Sequence, residues 1–385
     1  MIPHVGETER ELAAAVAVYA RGLASRIEAA EDAGAIPAGV IRELAALGVL
    51  GLTVPERDGG LGASSVAFAL VLEELAAVWP SLAVAVSVNS GIVAGSIARL
   101  GTAEQRSRLL PRLMDGAGLG AFCLSEPSSG SDAASLRSVA EKEREGWRLD
   151  GQKVFVTNAR YAPFLIVLAR VGAAEPARPH AGITAFVVPA DAACLVVGKP
   201  ENKTGLLVSD TSGVTLDGVR VGEGAILGEV GRAFGAVAMA GLDAGRIGIA
   251  AQAVGIARGA IDRAGAYARE RTQFGRPIAS FQAVRFALAE ARAEVDAARL
   301  LALRAAWLRD SGRPFTREAA QAKLFASEAA NRATYTAVQT FGGYGYMREY
   351  AIERYARDAR ATTIYEGTSE IQRMVIARSL LERAA

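Results

Sequence analysis

The stretch Trp147-Arg148-Leu149-Asp150-Gly151-Gln152-Lys153-Val154-Phe155-Val156 decides the fold class. Its residues alternate around an Asp-Gly pair, the pattern of a β-hairpin. Moving outward, residues 164–168 (FLIVL) and 183–188 (ITAFVV) read as buried strands, and a second alternating run, 214–221, carries its own Asp217-Gly218 pair. An all-β unit is therefore expected over residues 121–230, with helices on both sides of it. Before it, Leu12, Val16, Tyr19, Leu23 and Ile27 recur at helical spacing, and further helices are expected at 40–47, 65–79, 82–100 and 103–114. After it, 234–269, 284–310, 315–341 and 369–381 read as long helices with short connections, an up-and-down bundle. The third of these stops at Gly342-Gly343, a C-cap signal. The chain reads as an α+β multidomain protein, mostly α. It has an N-terminal helical domain (1–120), a small central β-barrel-like or β-sandwich domain (121–230) and a C-terminal four-helix bundle (231–385).

Composition narrows the chemistry. The balance of 43 basic against 41 acidic residues, net +2, makes no case for nucleic acid or a charged membrane surface. The longest uncharged run, 75–98, contains Pro80 and Asn89 and reads as buried helices rather than a membrane span. Glu7, Glu9 and Glu11 stand where a signal peptide needs basic and apolar residues. The two cysteines, Cys123 and Cys194, form no motif and suit a reducing compartment, so a cytoplasmic location is expected. There are only two histidines, His4 and His180, which argues against His-dependent triads and His-ligated metals. Any general base should then be Glu or Asp. No dinucleotide-type glycine fingerprint follows a strand, and neither a P-loop nor a Glu-x-x-His pair occurs.

Several segments concentrate polar groups, aromatic rings and glycine. Residues 122–132 (FCLSEPSSGSD) either offer hydroxyls and backbone N–H groups to a polar ligand or form a plain turn. In 154–158 (VFVTN) the alternation puts Phe155 and Thr157 on one face, to hold a flat heterocycle or simply to pack. Asp243 and Arg246 share a helix face and are a ligand contact or a surface ion pair. Residues 271–277 (RTQFGRP) form a donor-rich loop with a basic end suited to phosphate, and 339–346 (QTFGGYGY) an aromatic glycine turn. In 364–372 (IYEGTSEIQ), Glu366 precedes a helix start, and Ser369 and Gln372 have the spacing of a capping box. By itself Glu366 is either a pocket carboxylate or an ordinary acid at a helix N-terminus.

Taken in order, these segments resemble those of the acyl-CoA dehydrogenases. They are Cys-Leu-Ser-Glu-Pro-x-x-Gly-Ser-Asp (123–132), Val-Thr-Asn (156–158), Gly-Arg-Ile-Gly-Ile-Ala (245–250), Arg-x-Gln-Phe-Gly (271–275), Gln-x-Phe-Gly-Gly-x-Gly (339–345) and Ile-Tyr-Glu-Gly-Thr-Ser-Glu-Ile-Gln-Arg (364–373). The resemblance covers essentially the whole chain, including its helix–sheet–helix order. It implies a FAD enzyme that converts a saturated acyl-CoA to trans-2-enoyl-CoA, most like short-chain and short-branched-chain members. By that resemblance Glu366 is the catalytic base. Phe122, Leu124, Ser125, Ser131, Phe155 and Thr157 line the flavin. Arg271, Gln273, Phe274 and Gln282 reach the adenosine diphosphate of a neighbouring subunit's FAD, and Gln339, Gly342, Gly343, Thr368 and Glu370 add further FAD contacts. Ser131, Asp243, Arg246 and Arg378 are implied CoA contacts. Gly367 lets the backbone of Glu366 aim an N–H and a carboxylate at one thioester.

This sequence departs from the pattern at Phe155, where many members have Trp, and at Glu370, where several have Gln. Some members carry the base on the helix, at the position occupied here by Gly245. Two effects compete on the pKa of Glu366: the helix start favours its charged form and burial disfavours it, with burial expected to win. The resemblance further implies an electron-transfer flavoprotein as acceptor and a homotetramer built as a dimer of dimers. An acyl-CoA oxidase using O2 is the near alternative. A non-catalytic helical binding protein of the same fold is the alternative from another class.

Overall fold

The computed structural model describes residues 5–381, so His4 lies outside the described residues. The expected order of helices, sheet and helices is present. The first part comprises α1 (Glu7–Gly22), α2 (Ile27–Ala33), α3 (Ala38–Ala46), α4 (Ser65–Val78), α5 (Pro80–Val86), α6 (Gly95–Leu100), α7 (Ala103–Leu109) and α8 (Pro111–Met114). A π-helical segment, Ser87–Ala94, joins α5 to α6. The helical run Pro80–Leu100 is long and apolar enough to cross a bilayer, yet 89% of its most apolar window is buried inside the molecule, as in a core helix.

The central part contains β1 (Ala121–Cys123), β2 (Val139–Glu143), β3 (Gly146–Thr157), β4 (Phe164–Val171), β5 (Ile183–Pro189), β6 (Leu195–Pro200) and β7 (Thr211–Val221). They form one mixed sheet in the order β1-β4-β2-β3-β7-β6, with β5 antiparallel to β4 on its other edge. β4 is buried on both faces, which explains its unbroken apolar run. Phe164, Ile166 and Leu168 pack with Ile92, Ile97 and Leu113 from the helices. Leu165 and Val167 pack instead with Trp147, Val214 and Leu216, so the sheet curls around its own core.

The two expected Asp-Gly hairpins are not turns. Each pair lies inside a single long strand, β3 or β7, and the two strands pair with each other. The register slips at Leu149/Asp150, where Gly218 (φ +73°) is the extra residue of a bulge and donates its N–H to Asp150 Oδ1 at 2.8 Å. An Asp-Gly pair provides the same local backbone for a bulge as for a turn.

The last part contains α9 (Ala240–Glu270), entered through a π-helical segment at Phe234–Met239, the short hairpin β8 (Thr272–Gln273) and β9 (Arg276–Pro277), then α10 (Gln282–Asp310), α11 (Thr316–Phe341), α12 (Ile352–Ala361) and α13 (Ser369–Leu381). α12 was not expected, so the connection between the third and fourth long helices is not short. Residues from α1, α4, α9, α10, α11 and α12 join in one apolar core, including Val16, Leu72, Val254, Val295, Ala330 and Tyr355.

Candidate active site

The loop after α12 presents the candidate base. Glu366 (φ +51°) and Gly367 (φ +88°) both have left-handed backbone. For a non-glycine residue this costs on the order of 1–3 kcal/mol and persists only where neighbours enforce it. The enforcing contacts are present. Gln372 Nε2 donates to the carbonyls of Glu366 (3.3 Å) and Gly367 (2.8 Å), and Lys323 Nζ donates to the Gly367 carbonyl at 2.7 Å. α13 is capped by Thr368, whose hydroxyl accepts from Ile371 N at 3.3 Å. The Ser369–Gln372 capping box is not formed. Ser369 is buried and donates to Glu328 Oε1 (2.8 Å), while Gln372 is occupied by the loop carbonyls.

The side chain of Glu366 turns onto α9. A Cβ built at Gly245 would overlap Glu366 Oε2 and lie 2.8 Å from Cδ, so the carboxylate occupies the space that a side chain at 245 would fill. Both carboxylate oxygens are buried and have no hydrogen-bond partner. Burial pushes the Glu366 pKa up to about 7, opposed first by Lys323 and then by Arg246. Beneath the loop, Tyr365 donates its O–H to Gln252 Oε1, and Gln252 Nε2 donates to the Pro80 carbonyl at 2.9 Å. Arg246, only 5% exposed, is bonded to Asp243, whose other oxygen accepts from Thr316 Oγ1 at 2.6 Å. The Asp243–Arg246 pair is thus a partly buried network, with Arg246 beside Glu366 and Thr316 at its exposed end, and Arg246 Nε within it has no partner.

A second group lies on the β domain. Phe122 and Leu124 pack in the cluster that also holds Val88, Ile92 and Leu242, where the sheet meets the helices. The loop that follows is fixed by a buried ion pair. Lys153 Nζ donates to Glu126 Oε1 (2.7 Å) and to the Leu124 carbonyl (3.2 Å), and Glu126 accepts the backbone N–H groups of Arg137 and Ser138. Ser125 O accepts from Val154 N at 2.9 Å, tying the loop to β3. The register of β3 slips between Lys153 and Val156, which interrupts the alternation expected to align Phe155 with Thr157. Phe155 has φ +56° and is 69% exposed, whereas Thr157 is half-buried and pairs with Thr211. Ser131 is exposed on the loop.

A third group surrounds a surface pocket of about 500 Å³ lined by Tyr267, Arg271, Gln273, Gly342, Gly343 and Tyr344, among others. The Arg271 guanidinium lies 5.3 Å from the Tyr344 ring centroid. Phe274 (φ +51°) stands at the tip of the β8–β9 hairpin, 92% exposed. Gln282 opens α10 and Gln339 lies in the last turn of α11, both exposed. Glu370 is exposed in the first turn of α13. Its backbone N–H, then the Thr368 hydroxyl, hold its carboxyl below the usual range. Arg378 lies in the last turn of α13, away from the loop that carries Glu366. A larger cavity, about 920 Å³, opens between α7, α8 and the β5 and β7 ends, and contains none of the sequence-derived site residues. Sequence reasoning missed Lys323 and Gln252. Each sits inside a long helix, where nothing in the residue pattern distinguishes it from a solvated polar side chain.

Known proteins match this arrangement along the chain. Family models for the acyl-CoA dehydrogenase N-terminal, middle and C-terminal domains match residues 6–117, 121–219 and 235–381 in turn. An acyl-CoA dehydrogenase of Bacillus subtilis is 42% identical over 379 residues, covering 98% of this chain and 99% of that protein. The mitochondrial short-chain specific acyl-CoA dehydrogenase of Bos taurus is 42% identical over 346 residues, covering 90% and 83%. Butyryl-CoA dehydrogenase from Megasphaera elsdenii superposes with a TM-score of 0.95 at 37% identity, covering 99% of this chain and all of that one. A chain in the structural study of the electron transferring flavoprotein of Acidaminococcus fermentans gives the same score, identity and coverage. Glutaryl-CoA dehydrogenase from Mycobacterium smegmatis, in complex with FADH2, follows at a TM-score of 0.92 and 30% identity, covering 99% and 96%. With sequence and shape in agreement from end to end, the chain belongs to the acyl-CoA dehydrogenase family, flavoprotein oxidoreductases that act on acyl-CoA.

Proposed function

We propose that this protein oxidises a short- or branched-chain acyl-CoA to the trans-2-enoyl-CoA, with Glu366 removing the α proton. The observation that carries this reading is the Glu366 carboxylate, buried, unpartnered on both oxygens and seated against Gly245. A base works best with a pKa near the working pH, and burial brings this one to about 7. The backbone N–H of Glu366 is the donor proposed for the thioester oxygen as negative charge builds there. Gly367 allows the turn that aims both groups. Asp243, Arg246, Ser131 and Arg378 are the proposed CoA contacts.

FAD, when bound, supplies the acceptor for the β hydride at its N5. The residues present fit it. Phe155 is a large aromatic ring left exposed on strained backbone, beside Thr157 and the Phe122–Ser125 loop. The pocket at Arg271, Gln273, Gly342 and Gly343 combines a guanidinium with backbone free of side chains, a chemistry suited to a diphosphate. Phe274, Gln282, Gln339, Thr368 and Glu370 complete the proposed set, with the Arg271–Gln282 group serving a neighbouring subunit in a homotetramer. An electron-transfer flavoprotein is the proposed acceptor and the cytoplasm the proposed location.

Glu366→Gln tests the reading. It should retain flavin and lose roughly 10²–10⁴-fold or more of anaerobic flavin bleaching by acyl-CoA. Near-normal bleaching would refute the assignment. A panel of acyl-CoAs of increasing length and branching identifies the substrate, and peroxide formed at the turnover rate would indicate an oxidase instead.

A further inference from the structure

Lys323 is wholly buried on α11, at 0% exposure, and one of its ammonium protons goes to the Gly367 carbonyl at 2.7 Å. A buried cation is costly unless an anion lies near it. The carboxylates that act on Lys323 are Glu366 first, then Glu328 and Glu370. Glu328 is engaged by Ser369 (2.8 Å) and Arg373 (3.6 Å), and Glu370 by Arg373 (3.4 Å). Arg246, the other cation acting on Glu366, is already bonded to Asp243. Among the described groups, Lys323 and Glu366 are therefore left as each other's counter-charge, with the Gly367 peptide between them.

We propose that Lys323 is the positioning residue of this site: its ammonium fixes the Gly367 carbonyl, and with it the turn that aims Glu366, and supplies the counter-charge that keeps the carboxylate ionised. The inference rests on Glu366 being the base. The charged groups facing Glu366 are Lys323 from α11 and Arg246 from α9, while Glu328, Glu370 and Arg373 face Lys323 or each other. Burial pushes the Lys323 pKa down to about 8, with Glu366 opposing the fall, which is the same coupling seen from the lysine. Loss of the ammonium leaves desolvation of Glu366 with one fewer opposing charge, so its proton binds more tightly and the acid limb of activity moves to higher pH.

The test uses the flavin-loaded enzyme. The protonated-carboxyl infrared band that vanishes in Glu366→Gln is titrated in the parent and in Lys323→Gln, which keeps an amide donor for the Gly367 carbonyl without the charge. The midpoint and the acid limb of kcat/KM should both rise by about one pH unit or more, within the range for loss of a nearby opposite charge. An unmoved midpoint in folded, flavin-replete Lys323→Gln overturns the proposal, however much the rate falls, since a purely structural lysine would slow the enzyme without moving the titration. If Lys323→Gln does not fold, the coupling is read from the other side. In Glu366→Gln labelled with [15N]lysine, the lysine titrating near 8 should move down by a similar amount, and no movement overturns the proposal. Retained turnover in Glu366→Gln would remove the base assignment itself, whereas an inactive Glu366→Gln with an unmoved midpoint removes only the role of Lys323.

Discussion

Replacing Glu366 by Gln should abolish activity and at the same time make the protein more stable at alkaline pH. The carboxyl titrates near 4.5 in an unfolded chain and near about 7 in this site, because burial penalises the charge more than Lys323 and Arg246 favour it. A folded-state pKa that is raised means stability fully present below the unfolded value and lost as pH rises through the folded one. The rise from 4.5 to about 7 corresponds to ~3 kcal/mol at alkaline pH. Roughly 2–3 kcal/mol of it should be lost between pH 5 and pH 8. The assay is equilibrium urea unfolding of the parent and Glu366→Gln at both pH values, at saturating FAD so that cofactor binding contributes equally. Subtracting the two proteins cancels the titrating groups that do not couple to Glu366, including Asp358, which burial also raises to about 7; Lys323, which does couple to it, titrates lower in the variant and leaves its own shift in the difference. The variant should gain ~2–3 kcal/mol on the parent as pH rises from 5 to 8. If the stability difference is the same at both pH values within about 0.5 kcal/mol, the carboxylate is not desolvated in the way its unpartnered oxygens imply.

Three further outcomes follow from the same contacts. Gly245→Ala places a methyl group where the Glu366 carboxylate lies, and the flexible carboxylate has to give; it should lower turnover by about 10²-fold through displacement of the base, and an unchanged kcat in the flavin-loaded variant would show that the base does not act from this position. Lys153→Met strands Glu126 in a site where the pair is 0% and 3% exposed, and should cost about 3–5 kcal/mol; a loss under 1 kcal/mol would show that the pair does not hold the 122–132 loop. Phe155→Ala removes a ring that is 69% exposed, so stability should change by less than about 0.5 kcal/mol; the flavin absorption spectrum and FAD affinity should change, and an unaltered pair would exclude Phe155 from the flavin wall.

The helix–sheet–helix order was legible because it rests on periodicity, which survives without tertiary information. What the residues hid was local chemistry with two solutions. Asp150-Gly151 and Asp217-Gly218 fit a turn or a bulge equally, and strand pairing between β3 and β7 decides between them. α12 escaped notice because it starts after Ala351, a positive-φ residue with no capping side chain, and because its buried face includes Arg354 and Asp358 beside Ile352 and Tyr355. Such a face does not read as apolar. Glu366 was legible as a candidate through the short supply of histidine and the resemblance of its segment, yet Ser369 and Gln372 were misread. Their spacing satisfies a capping box, but burial assigns Ser369 to Glu328 and Gln372 to the loop carbonyls.

The position of the base is a joint property of elements far apart in sequence. Glu366 is held by its loop, its carboxylate lies in the space left by glycine at 245 on α9, and its turn is held by Lys323 from α11. The two candidate base positions therefore share one space. A side chain at 245 and the observed carboxylate of Glu366 would occupy one volume, so one of them must shift, and the flexible carboxylate is the one that gives. Lys323 reaches the loop from α11, bonds the Gly367 carbonyl and opposes the desolvation of the Glu366 carboxylate that lies against α9, so three separate elements set where the base sits and what charge balances it.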